Sequence, residues 1–265
     1  MRRGRVEQYL VSKLEEGERL HMTLIDPLNM SVERAGEIAG YVGGLGSDAV
    51  MVGGSTVHTQ EHLDNYIKQI KRMTDKPVII FPNNVQSISR HADAIWFMSL
   101  LNSVDWYYII GAQLQGALTV KHFSLEAIPM GYVVFGHEST VAAMGRVLPL
   151  SPNHREVAAC YGLAAQYLGM RFLYLEAGSG AVAPLPADTI KAVKQSVDIP
   201  VVVGGGIRTA EDAAMVSEAG ADVVVTGTAV EKGLENLPGI IKSIDASSFN
   251  YGFVGDLTCR GLGCW

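Results

Sequence analysis

Eight short apolar runs alternate with longer helical patterns along this chain of 265 residues. Most of the runs are apolar on both faces and rich in β-branched residues, which is typical of parallel strands buried on both sides. They occupy residues 20–25, 49–52, 78–81, 94–98, 128–135, 172–175, 200–203 and 223–226. Eight strand–helix units in a chain of this length predict an α/β fold, a single-domain (β/α)8 TIM barrel.

Helical patterns fill most of the connections between these runs. They occupy residues 32–41, 62–73, 106–121, 155–168, 186–195, 210–218 and 229–244. The link at 82–93 is short and opens with Pro82-Asn83-Asn84, so we expect one irregular crossover after the third strand. We assign residues 1–245 to the barrel catalytic domain. Residues 246–265 break the pattern, and we expect a C-terminal tail that is flexible or docked on the surface.

Three glycine-bearing segments follow the sixth, seventh and eighth runs. They are Tyr174-Leu175-Glu176-Ala177-Gly178-Ser179-Gly180, Gly204-Gly205-Gly206 and Gly227-Thr228. Each segment stands between a predicted strand and a helix, so its backbone N–H groups lie at the carboxyl end of the barrel. Such N–H groups and helix N-termini bind phosphate, and glycine permits the close approach. The segments predict an enzyme with a phosphorylated substrate.

Polar side chains follow the first two strands at the same end of the barrel. Asp26 follows the first strand and Ser55 follows the second. A carboxylate and a hydroxyl beside a phosphate site suit Mg²⁺, which takes few protein oxygens. We predict Mg²⁺ as the cofactor, held by Asp26 and Ser55. Two alternatives stay open: Asp26 could cap the next helix or make an Asx turn before Pro27, and Thr56 could replace Ser55.

Three other polar residues fall away from the carboxyl ends of the strands. His21 lies within the first strand and is expected to be a hydrogen-bonded core residue. Asp48 and Asp222 precede the second and eighth strands, so we expect structural roles, because barrel chemistry sits at the opposite end.

Composition argues against several kinds of partner. The formal net charge is −6 without a basic block, so no nucleic-acid surface is expected. No run reaches the roughly 18 apolar residues of a membrane span. Neither a zinc spacing of the cysteines nor a signal peptide is found, and we expect a cytoplasmic location.

The ordered motifs resemble those of the geranylgeranylglyceryl phosphate synthase family, the prenyltransferases of archaeal-type ether-lipid synthesis and their bacterial relatives. The resemblance runs from about residue 20 to residue 244. It rests on residues 21–27, 51–56, 81–83, 174–180, 204–208 and 227–228. The string from Tyr174 to Gly180 is its most distinctive part.

The resemblance implies that the enzyme joins the 3-hydroxyl of sn-glycerol 1-phosphate to a polyprenyl diphosphate and releases diphosphate. The implied phosphate site comprises Ser179, Gly180, Gly205, Gly206, Gly227 and Thr228, within a substrate-binding set that also holds Leu175, Ala177 and Gly178. Tyr174 and Glu176 would contact the glycerol hydroxyls, with Glu176 as the candidate base. Asp26 and Ser55 would hold the Mg²⁺ that grips the diphosphate.

Several points stay open at this stage. Geranylgeranyl diphosphate is the favoured partner, with a longer chain such as heptaprenyl as the alternative. A more distant alternative is a phosphosugar isomerase or cyclase on the same barrel. Aromatic residues, Tyr132 and Phe135 among them, are candidates for an apolar groove that holds the prenyl chain. The resemblance also implies a homo-oligomer, and transient membrane contact at the groove is a hypothesis. The charged residues that commonly follow Asp-Pro in relatives are replaced by Leu28 and Asn29.

Overall fold

The computed structural model describes residues 3–54, 59–227 and 233–245. Its strands are β1 (Leu20–Ile25), β2 (Ala49–Gly53), β3 (Val78–Phe81), β4 (Ala94–Leu100), β5 (Glu126–Val134), β6 (Phe172–Glu176), β7 (Val201–Gly204) and β8 (Val223–Thr226). All eight are parallel, and they close in chain order with β1 paired to both β2 and β8. The predicted (β/α)8 barrel is confirmed.

The helices follow the predicted alternation with two additions. They are α1 (Arg5–Glu15), α2 (Val32–Gly44), α3 (Gln60–Met73), α4 (Ala112–His122), α5 (Thr140–Met144), α6 (Arg155–Tyr167), α7 (Ala187–Ser196), α8 (Ala210–Glu218) and α9 (Leu237–Asp245). A π-helical turn at Tyr107–Gly111 precedes α4. Helices α1 and α5 were not predicted from the sequence. Residues 82–93 hold no helix, so the irregular crossover after β3 is confirmed.

The fold does not test the predictions about the C-terminal tail, the domain boundary, the cellular location and the oligomeric state. The tail at 246–265 lies outside the described residues, and the domain boundary before it stays a prediction. No helix in the described parts of the chain is long and apolar enough to cross a membrane. The cytoplasmic location and the homo-oligomer also stay predictions.

Strand alternation divides the core into two layers. Inside the barrel, Trp96 of β4 packs against Phe172 of β6 with ring centroids 5.1 Å apart. Between the sheet and the helices, residues such as Val50 and Leu173 pack against α2, α6 and their neighbours. Because side chains at successive strand positions point to opposite faces, each strand contributes to both layers.

Helix α1 closes the barrel at the amino ends of the strands. The Glu126 carboxylate at the start of β5 accepts hydrogen bonds from the backbone N–H groups of Val6 and Glu7, both at 2.8 Å. An anion at a helix N-terminus is favourable because it meets unpaired N–H donors. The buried Glu7 carboxylate in turn pairs with Arg171 at 2.7 Å. These contacts come from residues distant in sequence, which is why the helix was missed.

The predicted structural residues have the expected roles. Asp48 accepts a hydrogen bond from the His21 backbone N–H at 3.0 Å and pairs with Lys13 at 2.6 Å. Asp222 pairs with Arg19 and Lys194 at the amino end of β8. These ion pairs lie opposite the carboxyl ends of the strands, so both aspartates stabilise the fold.

His21 is a buried core residue, as predicted. Its ring nitrogens lie 3.1 Å from the Ser47 hydroxyl and 2.9 Å from the Thr226 hydroxyl. Burial lowers the pKa of His21 from 6.5 to about 3, because the apolar surroundings disfavour the imidazolium. The ring is therefore neutral at physiological pH.

This lowered pKa makes the stability of the fold pH-dependent. Between pH 6.5 and 3 the unfolded chain takes up a proton at His21 that the folded chain does not. The contribution of neutral His21 to the free energy of unfolding is therefore complete above pH 6.5 and decreases as the pH is lowered below that value. Relative to a His21→Gln variant, wild type should lose about 1.4 kcal/mol of unfolding free energy per pH unit below that value. Denaturant unfolding at pH 7, 6 and 5 measures it, and a constant difference would contradict the assignment.

Candidate active site

A cavity of about 420 Å³ opens at the carboxyl ends of the barrel strands. Its lining includes these predicted site residues: Asp26, Tyr174, Glu176, Ser179, Gly205, Gly206 and Gly227. The barrel therefore brings together the ends of β1, β6, β7 and β8 as the sequence predicted. Ser55 and Thr228, the other predicted metal and phosphate residues, lie outside the described residues.

Some predicted binding residues do not line this cavity. The side chain of Leu175 packs in the outer layer between sheet and helices, because it lies between the inward-facing Tyr174 and Glu176. Ala177 packs against the same outer layer. Any contact of these two residues with a ligand in the cavity would have to come from their backbone. Phe135, a candidate for the apolar groove, also lies in the outer layer, because it follows the inward-facing Val134 and so points to the opposite face.

Glu176 is a buried carboxyl group surrounded by hydrogen-bond donors. Its Oε1 accepts a hydrogen bond from the Gly178 backbone N–H at 2.7 Å. Burial raises its pKa from 4.5 to about 7, against the lowering effect of hydrogen bonds from Gly178, Tyr174 and Tyr132. A carboxylate with a pKa near neutrality is suited to accept a proton at physiological pH.

Two tyrosines hold the Glu176 carboxylate from inside the barrel. Tyr132 and Tyr174 are neighbours on β5 and β6, with ring centroids 5.3 Å apart in an edge-to-face arrangement. Burial, with the nearby Glu176 charge, raises the pKa of both hydroxyls well above 10, so they stay protonated donors. Tyr132 was predicted to line the groove, but its contact with Glu176 was not predicted, since the two residues meet only through the pairing of β5 with β6.

Glycine at position 204 makes room for Tyr174. A Cβ on Gly204 would overlap the Tyr174 hydroxyl oxygen. Gly204, the first of the three glycines, therefore leaves space for the Tyr174 hydroxyl, while Gly205 and Gly206 belong to the loop that follows β7.

The loops after β6 and β7 form a glycine-rich concavity. Gly178, Gly180, Gly205 and Gly206 all have positive φ angles, between 75° and 109°, which only glycine adopts readily. A Cβ on Gly206 would overlap the backbone carbonyl of Ala183, so the two loops lie in direct contact. This backbone-lined concavity next to the N-terminus of α8 is suited to a phosphate group.

Asp26, the predicted metal ligand, lines the cavity at the end of β1. Its Oδ1 accepts a hydrogen bond from the Leu28 backbone N–H at 3.0 Å, so the Asx turn considered as an alternative is present. Its Oδ2 lies where a Cβ on Gly54 would stand, and it borders the cavity. The described residues hold no cluster of three acidic, histidine or cysteine side chains. Mg²⁺ commonly takes one or two protein oxygens and completes its coordination with water and ligand oxygens, so a single carboxylate here is compatible with such a cation.

The remainder of the cavity is mostly apolar. Phe81, Trp96, Phe97, Met98, Tyr108 and Val120 are among its lining residues. Tyr132, a predicted groove residue, lines the cavity, as does Trp96 from inside the barrel. The cavity thus joins a polar, glycine-rich end to an apolar wall.

The fold and the cavity are those of a (β/α)8-barrel enzyme with a glycine-rich concavity suited to phosphate. Residues 12–245 match the PcrB family, and the chain belongs to that family. It is 49% identical over 228 residues to the geranylgeranylglyceryl phosphate synthase of Pyrococcus abyssi, covering 86% of this chain and 90% of the relative. The enzyme of that name from Methanothermobacter thermautotrophicus is 50% identical over 227 residues, covering 86% and 92%. The predicted enzyme class, a prenyltransferase of this type, is confirmed.

Solved structures agree with this membership. (S)-3-O-geranylgeranylglyceryl phosphate synthase from Thermoplasma acidophilum, in complex with its substrate sn-glycerol-1-phosphate, matches with a TM-score of 0.88 and 41% identity. The match covers 93% of this chain and 100% of that one. The tryptophan synthase alpha chain from Legionella pneumophila has a TM-score of 0.61 at 15% identity and shares the barrel fold alone.

Proposed function

We propose that this chain transfers the geranylgeranyl group from its diphosphate to the 3-hydroxyl of sn-glycerol 1-phosphate and releases diphosphate. The observation that carries the proposal is the junction, in one cavity, of a glycine-rich phosphate site, a buried carboxyl group and an apolar wall. The complex of the Thermoplasma acidophilum relative with sn-glycerol-1-phosphate supports the choice of acceptor.

The glycerol phosphate is assigned to the polar end of the cavity. Its phosphate would lie on the loops that carry Ser179, Gly205 and Gly206, with Gly227 beside them. The glycerol hydroxyls would then face Tyr174 and Glu176. Binding of the acceptor through its phosphate group would orient the 3-hydroxyl toward the donor and remove much of the entropic barrier to the reaction.

Glu176 is proposed to accept the proton of the attacking hydroxyl. Its pKa of about 7 leaves a large fraction of the carboxylate ionised at neutral pH while keeping it basic. The Gly178 N–H and the hydroxyls of Tyr132 and Tyr174 orient the carboxylate by hydrogen bonds. Its remaining lone pairs would then accept the proton in a fixed direction. Proton loss would accompany formation of the C–O bond.

The apolar wall is assigned to the prenyl chain. Each buried CH₂ of such a chain contributes about 0.8 kcal/mol, so contacts with residues such as Phe97, Met98 and Val120 favour a long hydrocarbon over a sugar. A longer donor such as heptaprenyl diphosphate remains the alternative, since chain length depends on how far the groove extends. The phosphosugar alternative is disfavoured, because β5 ends in apolar residues rather than an acid.

Mg²⁺ is the proposed cofactor, with Asp26 as its ligand among the described residues. When bound there, Mg²⁺ would offset the negative charge of the diphosphate leaving group. The carboxylate borders the cavity and is confined beside Gly54, which fits this use.

A transfer assay tests the proposed function. The protein is incubated with Mg²⁺, labelled sn-glycerol 1-phosphate and geranylgeranyl diphosphate, with sn-glycerol 3-phosphate and heptaprenyl diphosphate in parallel reactions. We expect an organic-extractable product from the 1-phosphate and the geranylgeranyl donor that disappears with EDTA. Absence of product with every donor would refute the proposal, whereas a preference for heptaprenyl would support the longer-chain alternative.

An Asp26→Asn variant tests the metal site. We expect the Mg²⁺ concentration for half-maximal activity to rise about tenfold or more, because the charged ligand is lost while its shape is kept. Calorimetric titration of Mg²⁺ in the presence of diphosphate gives an independent readout. Asp75→Asn, at an exposed carboxylate before β3, is the matched control. An unchanged Mg²⁺ requirement in Asp26→Asn would leave the Asx turn as the role of Asp26.

A further inference from the structure

The charges that line the cavity are unbalanced for a doubly anionic ligand. Asp26 and Glu176 contribute carboxyl groups. Among the described residues of the lining, Arg208 has the only cationic side chain. A phosphate ester carries up to two negative charges at neutral pH, so a nearby positive charge favours its binding.

Arg208 connects the two glycine-rich loops. From the end of the β7 loop, its Nη2 donates hydrogen bonds to the backbone carbonyls of Ala181 at 2.7 Å and Gly180 at 3.2 Å. Its Nε is buried and has no hydrogen-bond partner among the described residues. A buried donor without an acceptor destabilises the protein, and an anionic oxygen is the kind of group that would satisfy it.

The base of this connection is rigid. Asp212 Oδ2 accepts hydrogen bonds from the backbone N–H groups of Arg208 at 3.0 Å and Thr209 at 3.1 Å. Thr209 and Asp212 form a capping box at the N-terminus of α8. The backbone of Arg208 is therefore held at the start of a helix, and only its side chain reaches across the concavity.

The contact orders a loop that glycine would otherwise leave free. Gly180 has a φ of 81°, and no atom of the described parts of the chain lies within 4 Å of the position of a Cβ. Its carbonyl is held by Arg208, while the N–H of the same peptide group, on Ala181, donates to the Gly178 carbonyl at 3.0 Å. Because a peptide group is planar, fixing both ends sets its orientation. A loop ordered before binding loses less entropy when the ligand arrives.

We propose that Arg208 is a positioning residue for the phosphate of the acceptor substrate. It orders the loop that carries Ser179 and Gly180, and it supplies positive charge to the phosphate site. This inference rests on the proposed function for the identity of the acceptor. The role needs a guanidinium, because Nη2 makes both carbonyl contacts while Nε is left to meet an anionic oxygen. A lysine ammonium keeps the charge but has a single nitrogen, which cannot occupy both positions.

The test compares the steady-state kinetics of Arg208→Gln and Arg208→Lys with those of wild type. We expect Arg208→Gln to raise KM for sn-glycerol 1-phosphate about tenfold or more, with KM for the prenyl diphosphate within about twofold of wild type. The KM of Arg208→Lys for sn-glycerol 1-phosphate should lie between those of wild type and Arg208→Gln, because lysine restores the charge without the loop contacts of the guanidinium. Arg72→Gln, at the C-terminal end of α3 on the outside of the barrel, is the matched control.

Binding of sn-glycerol 1-phosphate, measured by calorimetry without the donor, separates this inference from the proposed function. Wild type that binds the phosphate but forms no prenylated product would refute the proposed reaction alone. Binding by Arg208→Gln at wild-type affinity would refute the role of Arg208. If that variant does not fold in thermal denaturation, Arg208→Lys decides: weakened phosphate binding supports the role, and wild-type binding overturns it.

Discussion

Replacing Glu176 by glutamine is expected to lower kcat by about 10² to 10⁴-fold, the usual range for loss of a positioned general base. Glutamine keeps the size of the side chain and an oxygen for the Gly178 N–H, but it cannot accept the proton of the substrate hydroxyl. Single-turnover kinetics with saturating substrates measure the chemical step directly. Glu218→Gln, at an exposed carboxylate at the end of α8, is the control.

The pH dependence gives a second readout of the same role. The kcat/KM of wild type should fall below about pH 7, where Glu176 becomes protonated in the free enzyme. Glu176→Gln should lack this limb in its residual activity. A variant with wild-type kcat, or with an unchanged acid limb, would show that another group accepts the proton.

Stability separates this role from that of an ordinary ion-pair partner. The folded pKa of Glu176 lies above its unfolded value of 4.5, so its favourable contribution is present below pH 4.5 and is lost as pH rises through 7. Above pH 7 the buried carboxylate destabilises the fold, and Glu176→Gln should be more stable by up to about 3 kcal/mol. Denaturant unfolding at pH 5 and pH 8 measures the change; a structural carboxylate would give the opposite sign.

Substitution of Gly206 by alanine is expected to lower kcat/KM for sn-glycerol 1-phosphate by about 10³-fold, close to 4 kcal/mol. Gly206 has a φ of 75°, and a Cβ there would overlap the Ala183 carbonyl on the neighbouring loop. Since a backbone carbonyl cannot turn aside as a flexible side chain can, both loops of the phosphate site must shift. Affinity for the prenyl diphosphate should change much less.

A matched glycine separates the overlap from the backbone strain. Gly169, after α6, has a φ of 82°, and no atom of the residues that the structure describes lies within 4 Å of the position of a Cβ. Gly169→Ala should lower the melting temperature through strain alone and leave KM for the glycerol phosphate unchanged. If both variants lose the same stability and Gly206→Ala keeps its KM, the loop does not bind phosphate.

Local pattern was enough to place most of the barrel. The bounds of β1, β3 and β8 agree with their predicted runs, because each run is too short for a helix and ends at Asp26, Pro82 or Gly227. The loops after β6 and β7 were also predictable, since several successive glycines at strand ends have few structural uses. The irregular crossover after β3 followed from a link too short for a full helix.

Other features depend on residues that are distant in the chain. Helix α1 has an amphipathic pattern in Val6, Leu10 and Val11, yet its N-terminus is completed by Glu126. Phe135 was assigned to the groove but lies in the outer layer, because one residue beyond the end of β5 reverses the face. The sequence shows that successive side chains of a strand alternate between two faces, whereas strand pairing determines which face is directed into the barrel and its cavity.

The residue types of the candidate site could be predicted from the sequence, because Asp26, Glu176 and the glycine segments follow predicted strands. The protonation states of these residues could not be predicted in this way. The pKa of Glu176 follows from burial and from Tyr132, which strand pairing alone brings beside it. Likewise, Arg208 meets the Gly180 and Ala181 carbonyls only because the β6 and β7 loops adjoin in the closed barrel. Sequence order sets which groups are available, while burial and distance, which determine solvation and charge, arise when the barrel closes.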